Sequence, residues 1–236
     1  MTALNPGDPT TLNRLYGRAK GRPLRAGQAR LIDTLLPQLA IPAGPITAQT
    51  LFGRDCPLHL EIGFGGGEHL AARADLLPDH GFIGAEPFLN GVAQALMHID
   101  GAGTARAPLR NVRLHHGDAL DILRRLPDGA LSFVYLLHPD PWPKPRHIKR
   151  RMVNDGPLAL IAAKLKPGGE FRFGTDHPVY LRHALMVMAR HADRFAWLAQ
   201  APHDFTHRPG GWPETRYEAK ARAQGLPVWY FRYRRC

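Results

Sequence analysis

Between residues 57 and 191, short apolar runs alternate with stretches of helical spacing, and most runs end in glycine, acid or proline. Strands are expected over Pro57–Ile62, Gly81–Ala85, Asn111–His115, Ala130–Leu137 and Glu170–Gly174. Helices are expected between and after them, over Glu68–Leu77, Phe88–His98, Ala119–Leu126, Val153–Leu165 and Val179–His191, with a turn at Lys166–Gly169. Residues 130–137 (ALSFVYLL) are almost wholly apolar, as a strand buried on both faces requires. Such alternation builds an α/β fold with a mainly parallel, doubly wound sheet. Ligands of these sheets bind beyond the carboxyl ends of the strands, so the loops after Ile62, Ala85, His116, Leu137 and Phe173 should share one crevice. Upstream, Leu31, Leu35, Leu36 and Leu39 predict one short helix over Gln28–Leu39, and residues 41–56 read as loop. Val228–Tyr233 is aromatic-rich and strand-like.

A length of 236 residues suits one α/β domain with appendages. The expected division is a basic arm over residues 1–26 and a single domain over 27–236. The two cysteines, Cys56 and Cys236, are too few and too far apart for a disulfide framework or a cysteine-rich zinc site. None of the 13 histidines stands in a metal-binding pattern, so no metal is expected. No apolar run approaches 18 residues and the N-terminus lacks a signal-type apolar region, so the expectation is a cytoplasmic protein without a membrane anchor. A monomer and a homodimer both remain open.

The net charge of +11 is clustered. Residues 1–30 carry +5, residues 140–151 carry +4 and residues 208–236 carry +5, while the remainder of the chain is slightly acidic. Such clustering favours a polyanionic partner, nucleic acid ahead of a membrane surface.

The first strand runs into Gly63, Phe64, Gly65, Gly66, Gly67 and Glu68. Gly63 and Gly65 allow a tight turn and a close ligand. A dinucleotide fingerprint would place its third small residue at 68. Glu68 instead puts an anion at the helix N-terminus, where a pyrophosphate would sit, which disfavours an NAD(P) oxidoreductase. The second strand ends in Glu86, a carboxylate suited to ribose hydroxyls, and the third leads into Asp118 and Ala119, where Asp118 could accept from an adenine amine. Taken singly, Glu86 or Asp118 reads equally well as a helix cap or a solvated acid. In series, the three loops resemble the S-adenosyl-L-methionine site of class I methyltransferases.

After the fourth strand comes HPDPWPKPRHIKRR, residues 138–151. Pro139, Pro141 and Pro143 stiffen the loop around Asp140 and Trp142. An acid, an aromatic plate and a run of cations suit recognition of one unstacked base with its phosphates. This run resembles the P-D-P-W-P-K-K-R-H-x-K-R-R signature of the bacterial tRNA (guanine-N7)-methyltransferases, departing at Pro145. Three more segments are similar to that family: L-E-I-G-F-G at 60–65, G-T-D at 174–176 and E-T-R-Y-E at 214–218. His177 and Pro178 depart from its pattern, and Gly210, Gly211 and Trp212 read as a local insertion between Pro209 and Thr215.

The resemblance implies a Rossmann-like class I methyltransferase fold with an antiparallel C-terminal strand. It implies transfer of a methyl group from S-adenosyl-L-methionine to N7 of the variable-loop guanine, position 46 of tRNA. It places Glu61, Gly63, Gly65, Glu86, Asp118, Ala119 and Asp140 around the cofactor, with Asp140 as the catalytic candidate. Lys144, Asp176, Thr215, Arg216, Tyr217 and Glu218 would contact the substrate, and Arg146, His147, Ile148, Lys149, Arg150 and Arg151 the RNA. Two rival readings are a methyltransferase for another RNA base and a non-catalytic tRNA-binding protein on the same fold.

Overall fold

The five apolar runs become strands β1 (Leu58–Ile62), β2 (Gly81–Ala85), β3 (Val112–His115), β4 (Leu131–Leu137) and β5 (Leu165–Thr175), all mutually parallel where they pair. The computed structural model describes residues 21–101, 104 and 106–236. Most of the basic arm expected over 1–26, with Arg14, Arg18 and Lys20, therefore lies outside the described residues. Two further strands, β6 (Phe195–Trp197) and β7 (Trp229–Arg235), complete a seven-stranded sheet of order β3-β2-β1-β4-β5-β7-β6. β7 runs antiparallel to both β5 and β6.

Helices α1 (Ala26–Thr34), α2 (Leu36–Leu39) and α3 (Ala48–Phe52) precede the sheet. The single helix expected over Gln28–Leu39 is broken at Leu35, because Pro37 enters the first turn of α2 and cannot donate a helical hydrogen bond. α3 lies in a segment read as loop. Five residues show no periodicity, but Thr47 caps it by accepting from the Thr50 amide, and Gly53 ends it in the left-handed region. The connecting helices α4 (Glu68–Leu76), α5 (Leu89–Asp100), α6 (Ala119–Arg125), α7 (Asp155–Lys164) and α8 (Pro178–Arg190) lie where the periodicity puts them, within one to three residues. Residues 166–169 are not a free turn. They bulge within β5, whose pairing jumps from Leu131–Leu165 to Phe133–Glu170.

Alternation along the strands sorts two faces. One buries Leu60, Ile83, Val134, Leu136, Phe171 and Phe173 with apolar residues of α6, α7 and α8. The other packs Phe82 with Leu31, Leu70, Val92 and Leu96 of α1, α4 and α5. Beyond α4 that second face turns polar and aromatic. His59 bridges Tyr135 Oη at 3.0 Å and His80 Nδ1 at 2.8 Å, and the Arg172 guanidinium lies 4.5 Å from the Phe133 ring centroid. Burial, with His80 and Arg73 nearby, pushes the His59 pKa down to about 2, so it is a neutral core imidazole. Short α9 (His203–Thr206) and α10 (Arg216–Ala223), neither anticipated, lie between β6 and β7 in the chain. Among the described residues, no helix is long and apolar enough to cross a membrane.

Candidate active site

β1 lies between β2 and β4: the chain runs from β1 outward through β2 to β3, then crosses to β4 on the other side of β1. The crevice at its carboxyl end is the switch point of the topology. Gly63, Gly65 and Gly67 all have positive φ there. A Cβ at Gly67 would collide with Ala95, and one at Gly91 with the Gly65 carbonyl, so α5 packs directly against the loop. Gly67, rather than a residue at 68, meets this close-packing demand. The space above Gly63 is open.

Glu86 follows β2 and is 8% exposed. One carboxylate oxygen accepts the Gly65 amide at 2.8 Å and the other the Phe88 amide at 2.9 Å, so the side chain sets the shape of the glycine loop. Burial pushes its pKa up, and the nearby Asp140 and Glu61 carboxylates push the same way. Glu61 on β1 is buried and accepts from His69 Nδ1 of α4 at 2.7 Å. Asp118 is the N-cap of α6, accepting the Leu120 amide at 2.9 Å, and burial raises its pKa too. Ala119 beside it is buried. The cap reading for Asp118 is thus realised, and its second carboxylate oxygen keeps acceptor capacity.

Pro139, Asp140 and Pro141 are bracketed by His138 (φ 49) and Trp142 (φ 42), two non-glycine residues in the left-handed region. That backbone is held from below. Arg151 donates from Nε to the Pro141 carbonyl and from a terminal nitrogen to the Trp142 carbonyl, both at 2.9 Å. Asp140 stands exposed at the crest of the loop. The Arg150 guanidinium lies 4.8 Å from the Trp142 ring centroid, and the His147 ring meets Trp142 edge-on at 5.6 Å. Residues Pro145–Arg150 form a 3-10 turn on which Lys144, Arg146, Ile148 and Lys149 are exposed.

Arg151 corrects the sequence reading of a continuous RNA-gripping run. It is 4% exposed and is engaged by the loop it supports, so it has no surface to offer a phosphate. Spacing alone could not separate it from Arg150.

At the end of β5, Asp176 lies 3.5 Å from His138 Nδ1. His177, a departure from the family pattern, is the N-cap of α8, accepting the Val179 amide, with Pro178 at its first turn. The T-R-Y-E segment divides by direction. Thr215 caps α10 by accepting the Glu218 amide at 3.1 Å. Glu218 is 2% exposed and accepts from the Tyr230 hydroxyl and from Arg222 at 3.1 Å. Arg216 and Tyr217 face the glycine loop: Arg216 lies 3.9 Å from Glu68, and the Tyr217 ring is close above Gly65. The topology thus brings the C-terminal segment onto the loop after β1.

Two residues that sequence reasoning passed over hold this arrangement. Buried Arg73 of α4 donates to the Gly211 carbonyl at 2.8 Å. Trp212 is 7% exposed, edge-on to Tyr230 and 5.6 Å from the Arg172 guanidinium. The apparent insertion at 210–212 is a core clasp. A tryptophan after two glycines was the available signal; nothing marked Arg73. Among the described residues, no cluster of three metal-ligating side chains occurs.

Residues 55–231 match a family model described as "Putative methyltransferase". A protein of Sphingopyxis alaskensis is 77% identical over 236 residues, and one of Novosphingobium aromaticivorans 72% identical over 237, each alignment spanning the whole of both chains. A Zymomonas mobilis protein is 60% identical, again over both full lengths. All three carry the name tRNA (guanine-N(7)-)-methyltransferase. Among solved structures, the 16S rRNA methyltransferase KamB superposes with a TM-score of 0.54 at 16% identity, covering 79% of this chain and 91% of its own. An antibiotic-related methyltransferase gives 0.52 at 16% identity, covering 82% and 96%. These two establish the class I methyltransferase fold. By sequence along its whole length, the chain belongs to the family of the tRNA (guanine-N(7)-)-methyltransferases.

Proposed function

We propose that this chain methylates N7 of the variable-loop guanine, position 46, of tRNA, with S-adenosyl-L-methionine as donor. The observation that carries the reading is a rigid acid-and-indole loop, Asp140 to Trp142, standing beside a glycine loop whose ligands are carboxylates. The donor set fits an adenosyl group without phosphates. Glu86 retains acceptor capacity for ribose hydroxyls, Asp118 for an adenine amine, Gly63 leaves room, and Glu68 opposes a polyanion. When bound, the donor supplies an electrophilic methyl group and its own leaving group.

The chain's task is then placement. Guanine N7 presents an in-plane lone pair and no proton, so no general base is needed. Asp140 stabilises positive charge as it develops on the purine, and Asp176, 3.5 Å from His138 Nδ1, approaches the same base from the end of β5. Lys144, Arg146, His147, Ile148, Lys149 and Arg150 line the RNA side, with Arg216 and Tyr217 closing over the glycine loop. We assign the described domain, residues 27–236, to catalysis and the basic segment before it to tRNA.

Incubating the purified protein with unmodified tRNA and methyl-labelled donor, then digesting to nucleosides, tests the reading. Label in 7-methylguanosine from position 46 is the expected result. Label in another nucleoside, or none, would overturn it.

A further inference from the structure

A cavity of about 410 Å³ opens where β6 ends, between α9 and residues 207–210, away from the loops assigned to donor and target base. Trp197, the last residue of the edge strand β6, contributes a ring that is 44% exposed although its inner contacts are Phe205, Phe231 and Tyr233. His203 and His207 stand one helical turn apart with ring centroids 4.1 Å apart, and Gln200 lines the same space. These are flat rings and amide or imidazole edges, the groups that stack on and hydrogen-bond to a nucleobase.

The charges exclude a polyphosphate. Arg208 is engaged by Glu214 at 3.8 Å and Glu218 at 3.6 Å, and Arg232 by Glu170 at 3.0 Å. Asp204, also in the lining, accepts the Gln200 and Ala201 amides and leaves a negative charge there. A base attached to a chain of single phosphates fits better, because it asks for rings and polar edges rather than a concentrated positive charge.

Arg208 also supplies continuity. It reaches from the cavity wall to Glu218, on the helix whose Tyr217 covers Gly65. RNA lying across α10 would pass from the target-base loop to this cavity.

We propose that the cavity formed by Trp197, Gln200, His203, His207 and Arg208 seats a second, unpaired nucleotide of the tRNA substrate. The proposal rests on tRNA being the substrate. The test is steady-state kinetics with tRNA for the full-length protein and for Trp197→Ala, Trp197→Phe and the double variant His203→Ala/His207→Ala. Loss of base stacking should raise KM for tRNA roughly five- to fifty-fold in Trp197→Ala. Phe should restore most of it, the double variant should follow Ala, and KM for the methyl donor should stay near wild type. If Trp197→Ala does not fold, the histidine variant carries the test. A folded Trp197→Ala or His203→Ala/His207→Ala whose tRNA KM stays within twofold of wild type would overturn the cavity assignment, as would a fall in kcat alone. A wild-type protein inactive on tRNA would instead reject the substrate reading itself.

Discussion

The guanidinium of Arg151 lies under the backbone of Pro141, donating to its carbonyl at 2.9 Å. A second donor reaches the Trp142 carbonyl at the same distance, and the guanidinium carbon lies 5.6 Å from the centre of the Tyr180 ring. Charge-assisted bonds of this kind are about twice as strong as neutral ones. They oppose the cost of two left-handed non-glycine residues, on the order of 1–3 kcal/mol each, at His138 and Trp142. The position of Asp140 is therefore a consequence of a cation buried beneath the loop.

Arg151→Ala should lower stability by about 2–4 kcal/mol, since two charge-assisted bonds go and two carbonyls lose their partners. It should also depress kcat while leaving the salt dependence of tRNA binding unchanged. The double variant Arg146→Ala/Lys149→Ala should do the reverse, flattening the slope of log K against log salt by roughly 1.4–1.8. Urea melts and binding titrations at several salt concentrations separate the two.

Much of this was legible beforehand and some was not, for physical reasons. The parallel pairing of β1 to β5 follows from short apolar runs alternating with helical spacing, since each helix carries the chain back across the sheet. The approach of Tyr217 to Gly65 joins residues 152 positions apart and has no local signature; only a resemblance pointed to it. Arg151, expected to grip RNA, and Glu218, expected to contact the substrate, are both buried, and burial of a paired ion leaves no trace in spacing. Residues 210–212 looked like a loop insertion for the same reason: the clasp exists only once Arg73 and Arg172 arrive from elsewhere.

Glu86 gives opposite pH signs for stability and for donor binding. Its folded pKa lies above the ordinary glutamate value because the carboxylate is buried. The folded state thus binds a proton more readily than the unfolded chain, so this group's favourable contribution is present at low pH and is lost as pH rises through the raised pKa. Donor binding uses the ionised acceptor and should weaken as pH falls through that same value. Titration calorimetry across about pH 8 to 5 should show the affinity loss beginning above the ordinary glutamate range in the wild type. Glu86→Gln should bind the donor roughly ten-fold or more weakly throughout, without that pH-dependent component.

Arg73→Met should release the Gly211 carbonyl and cost about 1–3 kcal/mol of stability. Because the clasp leads into α10, the variant should also raise KM for tRNA more than it lowers kcat. A variant with the wild-type melting midpoint would show that Trp212 holds the segment alone.

The rate of methyl transfer should be nearly flat between about pH 6.5 and 8.5, since guanine N7 has no proton to surrender. His138, which opens the loop beside Asp176, is pushed below its ordinary range by burial and so stays neutral across that window. Single-turnover rates would check this; a steep rise tracking a pKa near 7 would point to a general base.

Asp140, held at the crest of the proline loop, is proposed to stabilise the transfer itself. Asp140→Asn preserves shape and removes the charge, so its single-turnover rate with saturating tRNA and donor is the most direct measurement. A fall of roughly 100-fold or more is predicted, with the protein folded and tRNA still bound. A rate within about threefold of wild type would show that the Asp140 charge does not assist the transfer.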